Sequence, residues 1–236
     1  MKYENIVSGL FAERPNRFIA KVIIDGKTEI AHVKNTGRCK ELLLPDTKVY
    51  LAVSDNPSRK TKYDLIAIEK KREGKPPLLI NMDSQAPNYV AEQWLKSGNV
   101  FSENAVIRRE VRYGNSRFDI YVEDMGRKAF LEVKGVTLEN DGVAMFPDAP
   151  TERGVKHINE LMKAMDDGYE AYIIFIIQMK EISFFTPNII THPEFADVLR
   201  LAEKRGVKII ALDSIVTPDS IKADLPIKVE LNMKPF

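Results

Sequence analysis

Three charged side chains in two consecutive strand-like stretches have the types and spacing of a metal-dependent hydrolytic site. Glu132 and Lys134 lie two positions apart in FLEVKGVTL, so on a β-strand they share one face. Asp119 lies in the preceding stretch, SRFDIYVED. Two carboxylates and a lysine held together suit a hard divalent cation and the hydrolysis of a phosphodiester. A solvated strand face with a salt bridge has the same pattern.

The two stretches form a hairpin if the chain turns at Met125-Gly126, where glycine permits a positive φ. Paired residue numbers then sum to 251, which places Asp119 opposite Glu132 with Cβ atoms about 4.5–5.5 Å apart. Carboxylates this close repel unless a cation lies between them. We therefore expect Asp119 and Glu132 to bind Mg²⁺ or Mn²⁺ as the cofactor, with Lys134 orienting a water or stabilising the transition state. The same register predicts an apolar opposite face: Phe118, Ile120, Val122, Ala129, Leu131 and Val133.

Charge is divided unevenly along the chain. The 236 residues carry a formal net charge of +1. Residues 1–80 contain 16 Lys and Arg against 10 Asp and Glu, a net charge of +6, which leaves 19 against 24, a net charge of −5, for residues 81–236. Basic surface favours phosphate contacts, and clustered carboxylates favour a divalent cation.

The composition is typical of a soluble globular protein, with 44% hydrophobic residues. No apolar run approaches the roughly 18 residues that span a bilayer, and the start MKYENIVSGL is too polar for a signal peptide. We therefore expect a cytoplasmic location and no membrane partner. The single cysteine and three scattered histidines argue against a disulfide and a zinc site.

The first 80 residues show the pattern of short strands. RFIAKVII and KTEIAHVK flank Asp25-Gly26, a strong hairpin signal, and TKVYLAV, YDLIAIE and PLLIN follow. Five short strands predict a small β-barrel, either OB-like or SH3-like. The stretch NMDSQAPN is a linker that ends in Asn88, a predicted N-cap. We place the boundary near residue 83, which predicts domains at 1–83 and 84–236.

The remaining residues predict an α/β domain. A helix, three strands, a helix from Glu152 to Asp167, the apolar strand AYIIFIIQ, a further helix and the strand VKIIALD follow in order. Buried strands separated by helices generally lie parallel. This order therefore predicts a mixed sheet with helices on its faces.

Other polar side chains are candidates for binding. Glu92, on the polar side of the first helix, is a candidate third metal ligand, although a solvent-facing glutamate is the commoner outcome. Arg153, Lys156 and His157 share one face of the long helix and are candidate contacts for the phosphates that flank a scissile bond, with a solvated helix face equally consistent. His157 is also a candidate proton shuttle, though a surface position is the more common one.

A basic turn lies in the first domain. HVKNTGRCK places Lys34 and Arg38 beside Asn35 and Gly37, which favour a turn. A basic turn can contact backbone phosphates without reading the bases. Lys34 and Arg38 are therefore candidate contacts for the phosphates of a nucleic acid.

The motifs also resemble a known family. RFDIYVED and KAFLEVKGVTL, followed by AMFPDAPTERGVKHINEL, are similar to the sugar fermentation stimulation protein A family, and HVKNTGR and APN resemble its amino-terminal half. The resemblance implies a DNA-binding protein with an OB-like domain followed by a domain similar to the PD-(D/E)-x-K nucleases. On that pattern Asp119 takes the first acidic position, Glu132 the second and Lys134 the lysine, while Phe118 stands where the motif name has proline.

Two functions are consistent with these observations. The first is a Mg²⁺-dependent nuclease or nuclease-derived protein that acts on DNA. The second is a non-catalytic, sequence-non-specific DNA-binding regulator, linked to sugar metabolism by the family name alone. A sugar- or protein-binding module is a third class, for which the sequence shows no pocket.

Overall fold

The chain divides into two units in the structure, a computed structural model that describes residues 1–35 and 37–233. The first unit comprises Met1–Ala86 together with Gln178–Lys180 and Ser214–Lys222. The second comprises Pro87–Ile177, Glu181–Asp213 and the described residues from Ala223 onward. No helix in the described ranges has the length and apolarity that crossing a membrane requires.

The first unit contains a six-stranded sheet that closes on itself. Its strands are β1 Ile6–Asn16, β2 Ile19–Ile24, β3 Lys27–Val33, β4 Lys48–Val53, β5 Tyr63–Arg72 and β6 Lys75–Asn81. They are arranged in the order β3-β2-β1-β4-β5-β6, and a parallel pairing of β3 with β5 closes the first five into a barrel. The predicted small β-barrel is thus confirmed.

The hairpin between β2 and β3 turns where the sequence predicts. Asp25 and Gly26 have φ angles of 48° and 76°, and Ile24 pairs with Lys27. The first barrel strand, β1, was not predicted, because Gly9 and Pro15 weaken its strand pattern. Gly9 has a packing role here, since a Cβ at this position would lie 2.7 Å from a methyl group of Val22.

The second unit is a mixed α/β domain, as predicted. Its helices are α1 Ala86–Lys96, α2 Glu152–Asp166 and α3 Pro193–Lys204. Its strands are β7 Val106–Tyr113, β8 Ser116–Asp124, β9 Arg127–Val136, β10 Leu138–Asn140, β11 Val143–Phe146, β12 Glu170–Ile177, β13 Phe184–Pro187, β14 Lys208–Thr217 and β15 Ser220–Val229, of which the end of β14 from Ser214 and the start of β15 up to Lys222 are counted with the first unit. The nine strands form one sheet in the order β10-β11-β13-β15-β14-β12-β9-β8-β7.

Four of these strands were missed by the sequence analysis. β10, β11 and β13 have only three or four residues each, too few to show a periodicity. β15 carries several charges and Pro226, which lowers its strand signal. The strands that build the candidate site, β8, β9 and β12, were all predicted.

The core of the second unit lies around β12, which pairs in parallel with β9 on one side and β14 on the other. Its residues Ile173–Ile177 are fully buried, as its continuous apolar sequence predicts. Helix α2 contributes the expected apolar stripe, including the buried Ile158 and Leu161. The opposite face of α2 is polar, and it carries side chains that lie next to the candidate site.

The β8–β9 hairpin follows the predicted register over most of its length. Met125 and Gly126 form the turn with φ angles of 49° and 84°, and the pairs from Asp124 with Arg127 to Ile120 with Leu131 all sum to 251. The ladder ends there. The predicted pairing of Asp119 with Glu132 is therefore not formed.

Side-chain alternation also shifts where the ladder ends. We expected Phe118 on the face of Ile120 and Leu131, opposite to Phe130. Instead the ring of Phe118 lies 5.1 Å from the ring of Phe130, so the prediction for Phe118 is wrong. The reason is local. The side chain of Asp119 accepts a hydrogen bond from the backbone N–H of Val133, and this contact replaces the regular backbone pairing of β8 with β9.

Candidate active site

Asp119 is held between α1 and β9 by two hydrogen bonds. Its Oδ2 accepts the backbone N–H of Val133 at 2.9 Å, and its Oδ1 accepts the side-chain amide of Asn88 at 2.9 Å. The carboxylate is therefore oriented toward β9, although Asp119 is not one of the residues of β8 that pair with β9 through the backbone. The expected proximity of Asp119 to the Glu132 segment is reached by a side-chain hydrogen bond rather than by cross-strand pairing.

Asn88 is a site residue whose role the sequence analysis missed. We predicted it as the N-cap of the first helix, but α1 begins at Ala86 and Asn88 lies in its first turn. There its side chain is available to Asp119. An asparagine inside a helix is a weak signal for such a contact, since asparagine is an unfavourable residue in a helix.

Glu132 lies in β9 and is buried, with 1% of its surface exposed. Its Oε1 accepts a hydrogen bond from Lys134 Nζ. The same oxygen lies 2.5 Å from Nδ1 of His157. Its Oε2 is buried and has no hydrogen-bond partner in the described chain. A buried, unpartnered carboxylate oxygen beside a second carboxylate fits a hard divalent cation, because such ions take oxygen ligands.

The two carboxyl groups have pKa values shifted in opposite directions. Burial raises the pKa of Asp119, and the negative charge of Glu132 raises it further. Burial would also raise the pKa of Glu132, but Lys134 and His157 outweigh it and leave that pKa below its ordinary value. Glu132 thus stays ionised, while the charge on Asp119 is unfavourable without a cation.

The three candidate residues of α2 separate in the structure. His157 is 6% exposed and contacts Glu132. The expectation that a surface position is the more common one for such a histidine is therefore wrong here. Arg153 is exposed, and its Nε lies 3.4 Å from Nε2 of His157. Lys156 is exposed on the helix surface. The polar face of α2 therefore does lie over β9, but His157 is committed to Glu132 rather than exposed for phosphate contacts.

Glu92 lies next to basic side chains. Its carboxylate lies 2.5 Å from Lys96 Nζ, one helical turn away, and 3.9 Å from Arg109 Nε. Within residues 1–35 and 37–233, no group of three or more His, Cys, Asp and Glu side chains has the arrangement of a metal site. Glu92 as a third metal ligand therefore stays a prediction, and a magnesium ion commonly keeps several waters.

The two candidate DNA contacts of the barrel differ in their surroundings. Lys34 Nζ lies 3.2 Å from the buried Asp83 and 3.7 Å from Asp64, so its positive charge forms ion pairs with carboxylates of the first unit. Arg38 is exposed. The prediction that Lys34 presents a phosphate-binding charge is therefore not supported by its contacts.

Arg14 organises the basic turn and was not predicted. Its guanidinium donates hydrogen bonds of 2.7–2.9 Å to backbone carbonyls of Arg17, Asn35, Gly37 and Arg38. Because one guanidinium donates to four carbonyls, it holds the turn against β1. The position of Arg38 therefore depends on a residue 24 positions earlier in the chain.

Comparison with known proteins assigns both parts of the chain. Residues 12–75 match the family description "SfsA N-terminal OB domain", and residues 85–220 match "Sugar fermentation stimulation protein RE domain". The barrel is thus OB-like rather than SH3-like.

Full-length relatives give the same assignment. A "Sugar fermentation stimulation protein homolog" of Ruminiclostridium cellulolyticum is 57% identical over 231 residues, covering 98% of this chain and 100% of the relative. One from Desulfitobacterium hafniense is 60% identical, covering 98% and 99%. The solved structure of SfsA from Pyrococcus furiosus in complex with Ca²⁺ is 31% identical, with a TM-score of 0.83 and 98% coverage of each chain. The chain therefore belongs to the sugar fermentation stimulation protein family.

Proposed function

We propose that this protein binds DNA and hydrolyses its phosphodiester bonds with a divalent cation bound by Asp119 and Glu132. The observation that carries the proposal is the buried, unpartnered Oε2 of Glu132 in a site that also contains the ionisable Asp119 and Lys134. The relative from Pyrococcus furiosus, whose structure is described as a complex with Ca²⁺, supports a divalent cation as the ligand.

The surrounding residues position the two carboxylates. Asn88 and the backbone of Val133 hold Asp119, and His157 holds one oxygen of Glu132, which leaves the other oxygen for the cation. When bound, Mg²⁺ or Mn²⁺ would act as a Lewis acid on a phosphoryl oxygen. These contacts preorganise the site, so the side chains need little reordering when the ion and the DNA bind.

Lys134 is the residue that we assign to the phosphate. Its side chain is 16% exposed and hydrogen-bonds to Glu132 on the same face of β9. A lysine ammonium can donate up to three hydrogen bonds, so the contact with Glu132 leaves donors for a phosphate oxygen. Lys134 would thereby stabilise the negative charge that develops at phosphorus.

The barrel is the proposed non-specific DNA-binding part. The net charge of +6 within residues 1–80 supports phosphate contacts, and the exposed Arg38 lies in a turn that Arg14 orders. Contacts with phosphates position the nucleic acid without reading its sequence. We therefore expect affinity that is similar for unrelated DNA sequences and falls steeply with salt.

A cleavage assay tests this proposal. The purified protein is incubated with linear, nicked and branched DNA in Mg²⁺, Mn²⁺ or EDTA. EDTA should abolish cleavage, and Glu132→Gln should lower its rate by about 100-fold or more. Glu103→Gln, which removes an exposed carboxylate from the same unit, should leave the rate unchanged.

DNA binding measured beside cleavage separates the two functions. Binding with no cleavage in any metal would contradict the enzyme and support a non-catalytic DNA-binding protein. No binding and no cleavage would contradict both.

A further inference from the structure

A polar cleft lies at the turn between β7 and β8. It has a volume of about 380 Å³ and is lined by Arg112, Gly114, Asn115, Ser116 and Arg117. Three of these residues carry side-chain N–H donors, and the serine adds a hydroxyl. The lining therefore suits an anion with several acceptor oxygens.

Ser116 gives an independent indication of a ligand. The residue is 6% exposed, and its buried Oγ has no hydrogen-bond partner in the part of the chain that the structure describes. Buried hydroxyls are usually hydrogen-bonded, because losing water without a replacement partner is unfavourable. A bound anion in the cleft would accept this hydrogen bond.

The segment that forms the cleft carries a net positive charge, and two of its arginines, Arg112 and Arg117, line the cleft. β7 carries Arg108, Arg109 and Arg112, and β8 adds Arg117, against the single Glu110, for a net charge of +3 over residues 106–117. Arg112 is exposed and forms no ion pair with a described residue.

Two carboxylates moderate this charge. Glu110 lies 2.8 Å from Arg117, and Glu160, which pairs with Lys163, lies 4.0 Å from the position that a Cβ on Gly114 would occupy. Arg117 is thus engaged by Glu110, whereas Arg112, Asn115 and Ser116 are the donors with the fewest contacts to described side chains, and among them Arg112 carries the charge and Ser116 is the buried one.

The strand geometry connects the cleft to the candidate active site. Ser116 and Asp119 are three residues apart on β8, a separation of about 10 Å along an extended strand. The rise of duplex DNA along its axis is about 3.4 Å per nucleotide of one strand, so DNA lying parallel to β8 would advance about three nucleotides over this distance. One DNA strand can therefore span both places.

We propose that the β7–β8 cleft binds a backbone phosphate of the nucleic acid, with Arg112 and the Ser116 hydroxyl as its donors. The proposal rests on the proposed function, because it assigns the cleft to the same substrate. It adds a phosphate contact in the second unit, whereas the net positive charge of the sequence lies in the first. Arg112 and Ser116 would determine where the strand lies relative to Asp119.

DNA binding by the full chain tests the cleft directly. A fluorescein-labelled 20-base-pair duplex is titrated in EDTA at 50 and 200 mM salt. Arg112→Ala should weaken binding and lower the salt slope by about 0.9, so its deficit should shrink about 3.5-fold between these salt concentrations. Ser116→Ala should weaken binding about two- to tenfold with an unchanged slope, since it removes a neutral donor.

Lys128→Ala is the matched control. Lys128 is exposed, and in the β8–β9 ladder it lies opposite Glu123 at the other end of the hairpin. This position is about 23 Å along β8 from Ser116. Its removal lowers the charge of the unit equally and should change affinity and slope less than Arg112→Ala. Melting temperatures of all variants verify that they are folded.

Inorganic phosphate distinguishes failure of this inference from failure of the proposed function. Millimolar phosphate should raise the melting temperature of the parent more than that of Arg112→Ala or Ser116→Ala. If the parent binds DNA but both variants bind it with parental affinity and slope, the inference is overturned and the proposed function stands. If no DNA binds but phosphate stabilises the parent selectively, the anion cleft is supported and the proposed function is overturned. Equal phosphate effects in all three proteins overturn the cleft.

Discussion

His157 Nδ1 lies 2.5 Å from Glu132 Oε1, which joins the first half of α2 to the centre of β9. Both side chains are more than 90% buried. The contact places a helix residue directly on a buried carboxylate that also accepts from Lys134. His157 is therefore a positioning residue for Glu132, and its removal should affect both stability and cation binding.

Replacing His157 by Ala should lower the free energy of unfolding by about 1.5–3 kcal/mol, because a hydrogen bond to a buried charged group is lost. His157→Asn should recover part of this, since its amide can donate from a similar position. Urea denaturation measures both. Lys156→Ala, an exposed change on the same helix, should stay within about 0.5 kcal/mol of the parent. Equal effects of the changes at 156 and 157 would contradict the role of His157.

Asp119→Asn should abolish stabilisation by divalent cations. Cation binding to the folded parent should raise its stability by about 2.7 kcal/mol at 100 times Kd, and thermal denaturation in Mg²⁺ or Mn²⁺ measures this rise. The variant loses one of the two carboxylates and should show little of it. A parent melting curve that is unchanged by millimolar Mg²⁺ and Mn²⁺ would contradict the proposed metal site.

The metal-free form of Asp119→Asn should be as stable as the parent or more stable. Burial and the charge of Glu132 raise the pKa of Asp119, so the folded state holds this proton more tightly than the unfolded state. The contribution of the protonated group to stability is lost as pH rises through the folded pKa. At neutral pH the ionised Asp119 is therefore unfavourable, and asparagine removes that charge. Glu103→Gln serves as the control, with no expected change in stability.

The hairpin of the site was predictable from sequence because its determinants are local. Met125-Gly126 specifies the turn, and alternation along both strands leads to the observed pairing of Ile120 with Leu131. The irregularity at Asp119 was not predictable in the same way. It arises because a carboxylate competes with the backbone for the N–H of Val133, and no periodicity reports that competition.

The contacts of α2 and α1 show a second limit. Helical spacing places Arg153 and His157 on one face, but which neighbour that face covers depends on how the helix packs against the sheet. The same holds for Asn88 and Glu92, of which Asn88 contacts Asp119 while Glu92 pairs with Lys96. Sequence therefore predicted the strand residues of the site better than the helix residues that support them.

Lys34→Ala and Arg38→Ala should have different effects. Loss of Lys34 leaves the buried Asp83 without its ion-pair partner and should lower the free energy of unfolding by about 1–3 kcal/mol. Arg38→Ala removes an exposed charge and should change stability by less than about 1 kcal/mol. It should instead lower the salt slope of DNA binding by about 0.9. Urea denaturation and fluorescence anisotropy measure the two effects, and a parental salt slope for Arg38→Ala would exclude it as a phosphate contact.

Glu170 should make the stability of the second unit depend on acidic pH. Arg127 donates to its carboxylate at 2.7 Å, and this contact is the largest cause that lowers the pKa of Glu170 from 4.5 to about 2, with Tyr172 and Lys208 assisting. Because the folded pKa is lower than the unfolded one, the stabilising contribution is complete above about pH 4.5 and is lost as pH falls toward 2. The difference in melting temperature between parent and Glu170→Gln should therefore be largest near pH 6 and shrink toward pH 2.5. Glu103→Gln should differ from the parent by a small, pH-independent amount, and a constant difference for Glu170→Gln over the same range would show that the Arg127 contact does not stabilise the fold.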